Sequence, residues 1–162
     1  MDDAEIILQQ LSREQLILMA LGFVLLILGI VLAYHVRSLI QLVREENRFF
    51  KPRHSWVLAI PLINIFYNFV IVRRLAASLN NEFYDRKEAV EENPTLRSGY
   101  FMAFSYLAAN FPLPLFIGYL VYIICLVYYI QYLAKVIAYK KLLLQPPPSL
   151  RDKEIDGTES DW

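Results

Sequence analysis

The sequence predicts an all-α fold, a polytopic transmembrane helical bundle of about four spans with amphipathic helical extensions on the cytoplasmic side. Hydrophobic residues make up 57% of the 162 residues, and the mean hydropathy is +0.37. Both values exceed those of ordinary soluble domains. The apolar residues gather into long runs, and nearly all of the 16 basic and 16 acidic side chains lie between these runs. Spans separated by charged loops have this pattern. Residues 1–145 are therefore interpreted as one transmembrane domain.

The first span is placed at about residues 16–35. The stretch from Leu16 to Tyr34 contains no charged residue, and as a helix it is about 28 Å long, against about 30 Å for the hydrocarbon core. The charged residues before it are mainly acidic, unlike the basic leader of a secretory signal, so we expect a retained span. Beyond Tyr34 an amphipathic helix is expected to continue until the break at Pro52.

The second span is placed at about residues 55–73, between basic residues on both sides. From Trp56 to Val72 a helix covers only about 26 Å. We expect this helix to leave the bilayer and continue as an amphipathic helix from Arg73 to Glu92, where Asn93-Pro94 ends it.

The third and fourth spans, at about residues 98–111 and 115–139, are predicted to form a helical hairpin. The apolar run here is too long for one span, and Pro112 and Pro114 interrupt it. Residues 146–162 are Pro-rich and then acidic, a composition that predicts a disordered C-terminal tail.

The distribution of basic residues predicts the orientation. With four spans and both termini in the cytoplasm, 11 basic residues lie inside and five outside, which the positive-inside rule prefers over the reverse. In an alternative, the segment 56–72 enters the membrane and returns, or lies along the membrane interface, so that three spans leave 15 basic residues inside and one outside. A regular helix satisfies its own backbone hydrogen bonds, whereas a re-entrant segment needs shelter from lipid, so we favour four helices.

Three groups of residues are candidate sites. A polar face for helix packing or for lining a pore is predicted at Pro61, Asn64 and Asn68, because their spacing places them on one side of a helix. A polar seam that packs, or contacts a quinone-like ring, is predicted at Tyr122, Tyr129, Gln131 and Tyr132. Contacts to anionic lipids, or simple anchoring at the membrane surface, are predicted at Arg44, Arg48, Arg53, Arg73 and Arg74.

The sequence predicts no catalytic, cofactor-binding or metal-binding residues, and the protein is expected not to be an enzyme. The single cysteine, Cys125, lies within an apolar run and is expected to pack there. Only His35 and His54 are available as imidazole ligands, and both lie near span ends. A net charge of zero gives no reason to expect nucleic acid as a partner.

The segment from Glu45 to Phe83 resembles uncharacterised small four-helix bacterial membrane proteins, a family defined as a domain of unknown function. The resemblance lies in a Trp-containing span with an Ile-Pro-x-x-Asn core, here Ile60 to Asn64, followed by an amphipathic Ser-Leu-x-x-Glu-Phe helix, here Ser78 to Phe83. It implies a multi-pass protein of the bacterial inner membrane.

The favoured function is that of a non-enzymatic accessory or scaffold subunit, which packs with other membrane proteins. Two alternatives remain open. The first is a homo-oligomeric pore or membrane-perturbing effector. The second is a lipid- or quinone-binding intramembrane protein.

Overall fold

The computed structural model describes residues 13–148, and all regular structure in that range is helical, which confirms the all-α prediction. The α-helices are α1 (Arg13–Leu42), α2 (Ile63–Arg86), α3 (Leu96–Ala109) and α4 (Leu115–Leu144). Two 3-10 segments, Glu45–Asn47 and Pro52–Ala59, connect α1 to α2. Most of the predicted disordered tail, residues 149–162, lies outside the described residues.

Two of the described helices are long and apolar enough to cross a membrane: Met19–Leu42 within α1 and Phe116–Leu144 within α4. Only 28% of the most apolar stretch of α1 is buried within the protein, and the corresponding value for α4 is 22%. A core helix of a soluble protein is mostly buried, so these exposed apolar surfaces favour contact with lipid. The fold thus supports a membrane protein, while four crossings stay a prediction.

The prediction of a continuous helix over residues 55–73 is wrong. Pro52–Ala59 is a 3-10 segment, and α2 begins only at Ile63. Pro61 causes the break, because a residue before proline is pushed out of the α conformation, and Ile60 has φ −93° and ψ 111°. Leu62 then takes a positive φ of 68°, and the chain reverses there.

The expected continuation of α2 to Glu92 is also wrong, because the helix ends at Arg86. Lys87 adopts the left-handed conformation, with φ 53°. The Glu88 amide donates to the Phe83 carbonyl at 3.0 Å, and the Lys87 amide donates to the Tyr84 carbonyl at 3.1 Å. These two bonds form a Schellman motif, which satisfies carbonyls of the last turn and stops the helix.

The bundle has two ends with different chemistry. At the first, the backbone amide of Arg44 donates to Glu82, and Arg86 donates to the carbonyl of Leu143, so the C-terminal ends of α1, α2 and α4 lie together. We call this the basic end. At the opposite end, Leu21 of α1 lies beside the turn between α3 and α4, around Pro112.

The reversed segment packs along α1 toward the middle of the bundle. Pro52–Ala59 runs from the basic end back along α1, and the Leu58 carbonyl oxygen would lie 2.9 Å from a Cβ placed on Gly29. Only glycine permits this close approach of two backbones. Leu58 is itself 1% exposed, so α1 and its neighbours cover this part of the reversed segment.

Candidate functional site

A groove of about 750 Å³ opens at the basic end, between the α1–α2 connection and α2. We call it the basic groove. Its residues are mostly cationic or aromatic: Glu45, Arg48, Phe49, Phe50, Lys51, Pro52, Arg53, His54 and Arg74. Eight of these residues lie close together in the α1–α2 connection, and the ninth, Arg74, comes from α2.

Most of the positive charge in the basic groove has no counterion among the described residues. No hydrogen bond or ion pair within residues 13–148 uses the side chains of Lys51, Arg53 or Arg74, and all three residues are exposed. Arg48 differs, because its guanidinium donates to the carbonyls of Val43 at 2.8 Å and Gln41 at 3.0 Å. Arg48 therefore holds the connection in place, and the other three cations are available to an anion.

A second groove of about 690 Å³ continues from the first and shares Phe49 and Arg74 with it. We call it the aromatic groove. It is lined by Phe49, Phe69, Val70, Arg73, Arg74, Ala77 and Tyr100. The Phe69 ring lies 4.9 Å from the Phe104 ring, edge to face, and 6.3 Å from the Tyr100 ring. Cations at one end of an apolar, aromatic surface suit a ligand with an anionic head and an apolar tail.

The two grooves contain four of the five arginines predicted to contact anionic lipid, but Arg44 is not among them. The Arg44 guanidinium lies 4.0 Å from the Glu82 carboxylate and 3.7 Å from that of Glu46. Its charge is thus engaged within the protein. Lys51 was not singled out among the basic residues predicted to contact lipid, although the aromatic pair Phe49-Phe50 between two cations was a signal for an amphiphile site.

Glu82 is the buried centre of the polar network that Arg44 joins. Its side chain is fully buried and accepts from the Arg44 amide at 3.0 Å, Asn47 Nδ2 at 3.1 Å and Arg86 Nε at 2.9 Å. Burial alone raises the pKa of Glu82, but these three donors outweigh it and hold the pKa below its ordinary value of 4.5. Arg86 also donates to the Leu143 carbonyl at 2.9 Å, so this charged carboxylate links the connection, α2 and α4.

A second polar contact at the basic end joins the α2–α3 connection to α4. Lys135 Nζ lies 2.8 Å from Glu91 Oε1, and the Tyr139 hydroxyl donates to the same oxygen at 2.8 Å. The Lys135 ammonium is the main cause of a lowered Glu91 pKa. Glu91 and Lys135 are 44 positions apart, so helical spacing gave no signal for this contact.

The predicted polar face of Pro61, Asn64 and Asn68 is only partly formed. Asn64 and Asn68 lie on α2 and are 4% and 1% exposed. Pro61 precedes the helix and is exposed, so the expectation that all three share one helical face is wrong. Both asparagines are buried within a single copy of the chain, and they therefore do not line a surface between copies.

The predicted tyrosine seam is also divided by the structure. Tyr129 and Tyr132 are each 1% exposed and Tyr122 is half-buried, whereas Gln131 is exposed and lies on another side of α4. Residues 129 and 131 are about 200° apart around a helix, which explains the separation. Cys125 is fully buried beside these tyrosines, at 0% exposure.

Residues 13–148 contain no group of three His, Cys, Asp or Glu side chains placed to hold a metal ion. No protein-family profile, curated protein or solved structure matches the chain. The resemblance to small bacterial membrane proteins therefore stays a prediction, and the two grooves are the structural features that bear on function.

Proposed function

We propose that this protein is an integral membrane protein that binds an anionic phospholipid at its basic end. The phosphate occupies the basic groove, and an acyl chain lies along the aromatic groove. The observation that carries this proposal is the set of three exposed cations without counterions, Lys51, Arg53 and Arg74, directly continuous with an aromatic surface. Guanidinium groups donate strong, charge-assisted hydrogen bonds to phosphate oxygens.

The proposal includes an orientation. The basic end faces the cytoplasm, α1 and α4 cross the bilayer, α3 completes a hairpin with α4, and the segment 52–72 enters from the basic end and returns. This arrangement leaves 15 basic residues inside and one outside, and it satisfies the positive-inside rule better than four spans do. The N-terminal end of α1 then faces the outside, in place of the expected cytoplasmic location of both termini.

Two observations favour lipid binding over the other predicted functions. An accessory subunit could dock a partner through the amphipathic helix predicted after Arg73, but the apolar residues Leu75, Leu79 and Phe83 of that helix are at most 1% exposed within the chain itself. The polar face predicted to line a pore includes Asn64 and Asn68, and both are buried in one copy. The proposed location is the inner membrane of a bacterium, as the resemblance implies. That membrane contains anionic phospholipids.

Native mass spectrometry of the full-length protein tests the proposal. Phosphatidylglycerol is titrated against phosphatidylcholine with the same acyl chains, and we expect the anionic lipid to bind more tightly. The double variant Arg53→Gln/Arg74→Gln removes two groove charges. Since each cation near a membrane surface contributes about 1 kcal/mol, affinity for phosphatidylglycerol should fall about 30-fold.

The matched control is Arg37→Gln/Lys141→Gln, which removes the same charge from two exposed residues that line neither groove. Its affinity for phosphatidylglycerol should stay within a factor of three of that of the unmodified protein. Equal losses in the two double variants would mean that net charge, rather than the groove, binds the lipid. Equal affinity of the unmodified protein for both lipids would refute the proposed function.

A further inference from the structure

The aromatic groove contains one cation that the proposed lipid site does not use. Arg73 lines this groove and is exposed, and no hydrogen bond or ion pair within residues 13–148 uses its guanidinium. Together with Lys51, Arg53 and Arg74 it makes four cations without a counterion on one continuous surface. A phosphodiester group carries a single negative charge, so a lipid with one phosphate leaves most of this positive charge unneutralised.

Acidic side chains do not offset this charge. Among the described residues, Glu45 is the only acid that lines either groove, and its carboxylate lies 3.5 Å from the Arg48 guanidinium. That pair neutralises itself and leaves the other four cations as they are. Like charges that share a surface repel one another, so a ligand with two negative charges stabilises this surface more than a ligand with one.

Arg73 and Arg74 are neighbours on α2, but they serve different sides of the helix. Successive residues are about 100° apart around a helix, and Arg74 lines both grooves whereas Arg73 lines only the aromatic groove. Arg74 therefore lies between two positions for a phosphate. The first is beside Lys51 and Arg53 in the basic groove, and the second is beside Arg73. Two phosphates joined by a short linker can occupy both positions at once.

The apolar surface next to these cations extends beyond the aromatic groove. Its exposed side chains are Ile63, Phe66 and Val70 of α2 and Phe104 of α3. Phe66 lies one turn before Val70, a residue of the groove wall, and is 72% exposed. Between Ile63 and Arg73 the helix covers about 15 Å, half of the hydrocarbon core and hence the depth of one leaflet. This surface has room for more than one acyl chain.

We infer that the lipid bound at the basic end has two phosphates and four acyl chains, the chemistry of cardiolipin. One phosphate lies in the basic groove, the other contacts Arg73, and Arg74 lies between them. The acyl chains lie along the apolar surface of α2 and α3. Basic pockets on the cytoplasmic side of membrane proteins bind head groups of this class. The inference rests on the proposed function, because it names the anionic phospholipid that the same two grooves bind.

Native mass spectrometry of the full-length protein tests the inference with three lipids that have the same kind of acyl chain. Cardiolipin should bind at least fivefold more tightly than phosphatidylglycerol, because its second phosphate engages Arg73. Phosphatidic acid carries a charge of about −1.5 to −2 on a single phosphate, so it matches the charge of cardiolipin without the second phosphate. We expect phosphatidic acid to bind at least threefold more weakly than cardiolipin.

Arg73→Gln separates the two phosphate positions. It should weaken cardiolipin binding about fivefold, the factor that corresponds to one cation near a membrane surface, and leave the affinity for phosphatidylglycerol within a factor of two. Arg73→Lys keeps the charge and should retain most of the affinity for cardiolipin. Arg37→Gln is the matched control, because Arg37 is exposed and lines neither groove. Its affinities for both lipids should stay within a factor of two of those of the unmodified protein.

Three outcomes would overturn the inference and leave the proposed function intact. The first is equal affinity for cardiolipin and phosphatidylglycerol, with phosphatidylglycerol still preferred over phosphatidylcholine. The second is an equal loss of both anionic lipids in Arg73→Gln, which would assign Arg73 to a site for one phosphate. The third is binding of phosphatidic acid as tight as that of cardiolipin, which would mean that charge alone selects the lipid. If phosphatidylglycerol and phosphatidylcholine bind equally, the proposed function fails and this inference fails with it.

Discussion

Glu82 is the residue whose environment differs most from its appearance in the sequence. In the sequence it belongs to a polar stretch that is expected to be solvated, yet its side chain is fully buried. Three donors from two segments converge on it, because a buried carboxylate is stable only when hydrogen bonds replace its hydration. The sequence shows that α2 carries an acid here, but it does not show that residues 44 and 47 fold back to meet it.

Glu82→Gln should destabilise the protein and reduce the dependence of its stability on pH. At neutral pH we expect a loss of about 3 kcal/mol in the free energy of unfolding, because Arg86 loses its buried partner and the new amide group opposes existing donors. The folded-state pKa of Glu82 is lowered. The stability it contributes is therefore fully present above the ordinary pKa of 4.5 that the group has in the unfolded chain, and it is lost as the pH falls through the lower, folded-state pKa.

Denaturant unfolding followed by circular dichroism, from pH 7 down to pH 3, measures both effects. Glu46→Gln is the matched control, because Glu46 is 71% exposed and pairs with Arg44 only at 3.7 Å, so its loss should change stability by less than about 1 kcal/mol. A Glu82→Gln curve parallel to that of the unmodified protein below pH 5 would contradict the assignment of a charged, buried Glu82.

At the scale of the element, the reversed segment before α2 shows which features local sequence predicts and which depend on packing. The apolar composition of residues 55–73 does not distinguish a crossing helix from a segment that turns back, and several of its apolar side chains, such as Leu62 and Phe66, are exposed. Pro61 was the local signal for the break. A broken segment is stable at membrane depth only if its backbone polar groups are covered and hydrogen-bonded. Gly29 has no Cβ and so allows the Leu58 carbonyl to pack against α1, and the Asn64 side chain donates a hydrogen bond to the same carbonyl.

The contact between α3, α2 and α4 depends on Gly99, and Gly99→Ala should weaken it. A Cβ at Gly99 would lie 2.5 Å from Val72 Cγ1 and 2.8 Å from Tyr132 Cε2. Both neighbours are 1% exposed, so neither has free space to move into. We expect a loss of about 1–3 kcal/mol in the free energy of unfolding, by thermal or denaturant unfolding of the purified protein.

Gly22→Ala is the control for this change, because the added methyl group meets nothing within 4 Å. Replacing glycine within a helix favours the helix by up to about 1 kcal/mol. Stability should therefore be unchanged or slightly higher. A Gly99→Ala protein as stable as Gly22→Ala would show that the three helices have room to separate at this point.

At the scale of the whole molecule, the ends of the bundle determine the topology. The Phe49 amide donates to Ser78 Oγ at 2.9 Å, and the Arg44 amide donates to Glu82 at 3.0 Å. The α1–α2 connection and the second half of α2 therefore lie at the same end. A membrane-crossing helix at 55–73 would place them on opposite sides, so these contacts support the proposed three-span arrangement, in which 15 basic residues lie inside and one outside.

Cysteine labelling tests this topology in a Cys125→Ser background. Glu46→Cys and Asn81→Cys are at exposed positions of the basic end, and a membrane-impermeant maleimide should modify both in inverted vesicles and neither in intact cells. Leu113→Cys, in the exposed turn between α3 and α4, is the positive control for labelling from outside. Labelling of residue 46 in intact cells, with residue 81 protected, would restore the four-span arrangement with both termini inside.

The sequence by itself determined the helical class, the apolar stretches of α1 and α4, the hairpin with its proline turn, and most of the cations that line the basic and aromatic grooves. These features depend on residues that are close together in the chain, so the hydrophobic periodicity and the hydropathy of the sequence predict them directly. Only the tertiary structure decided that residues 52–72 turn back, that Glu82 is buried, and that the Asn64 side chain is buried with its Nδ2 donating to the Leu58 carbonyl. Each of these depends on contacts between distant segments, because the cost of burying a polar group is set by which donors and acceptors the rest of the fold brings to it.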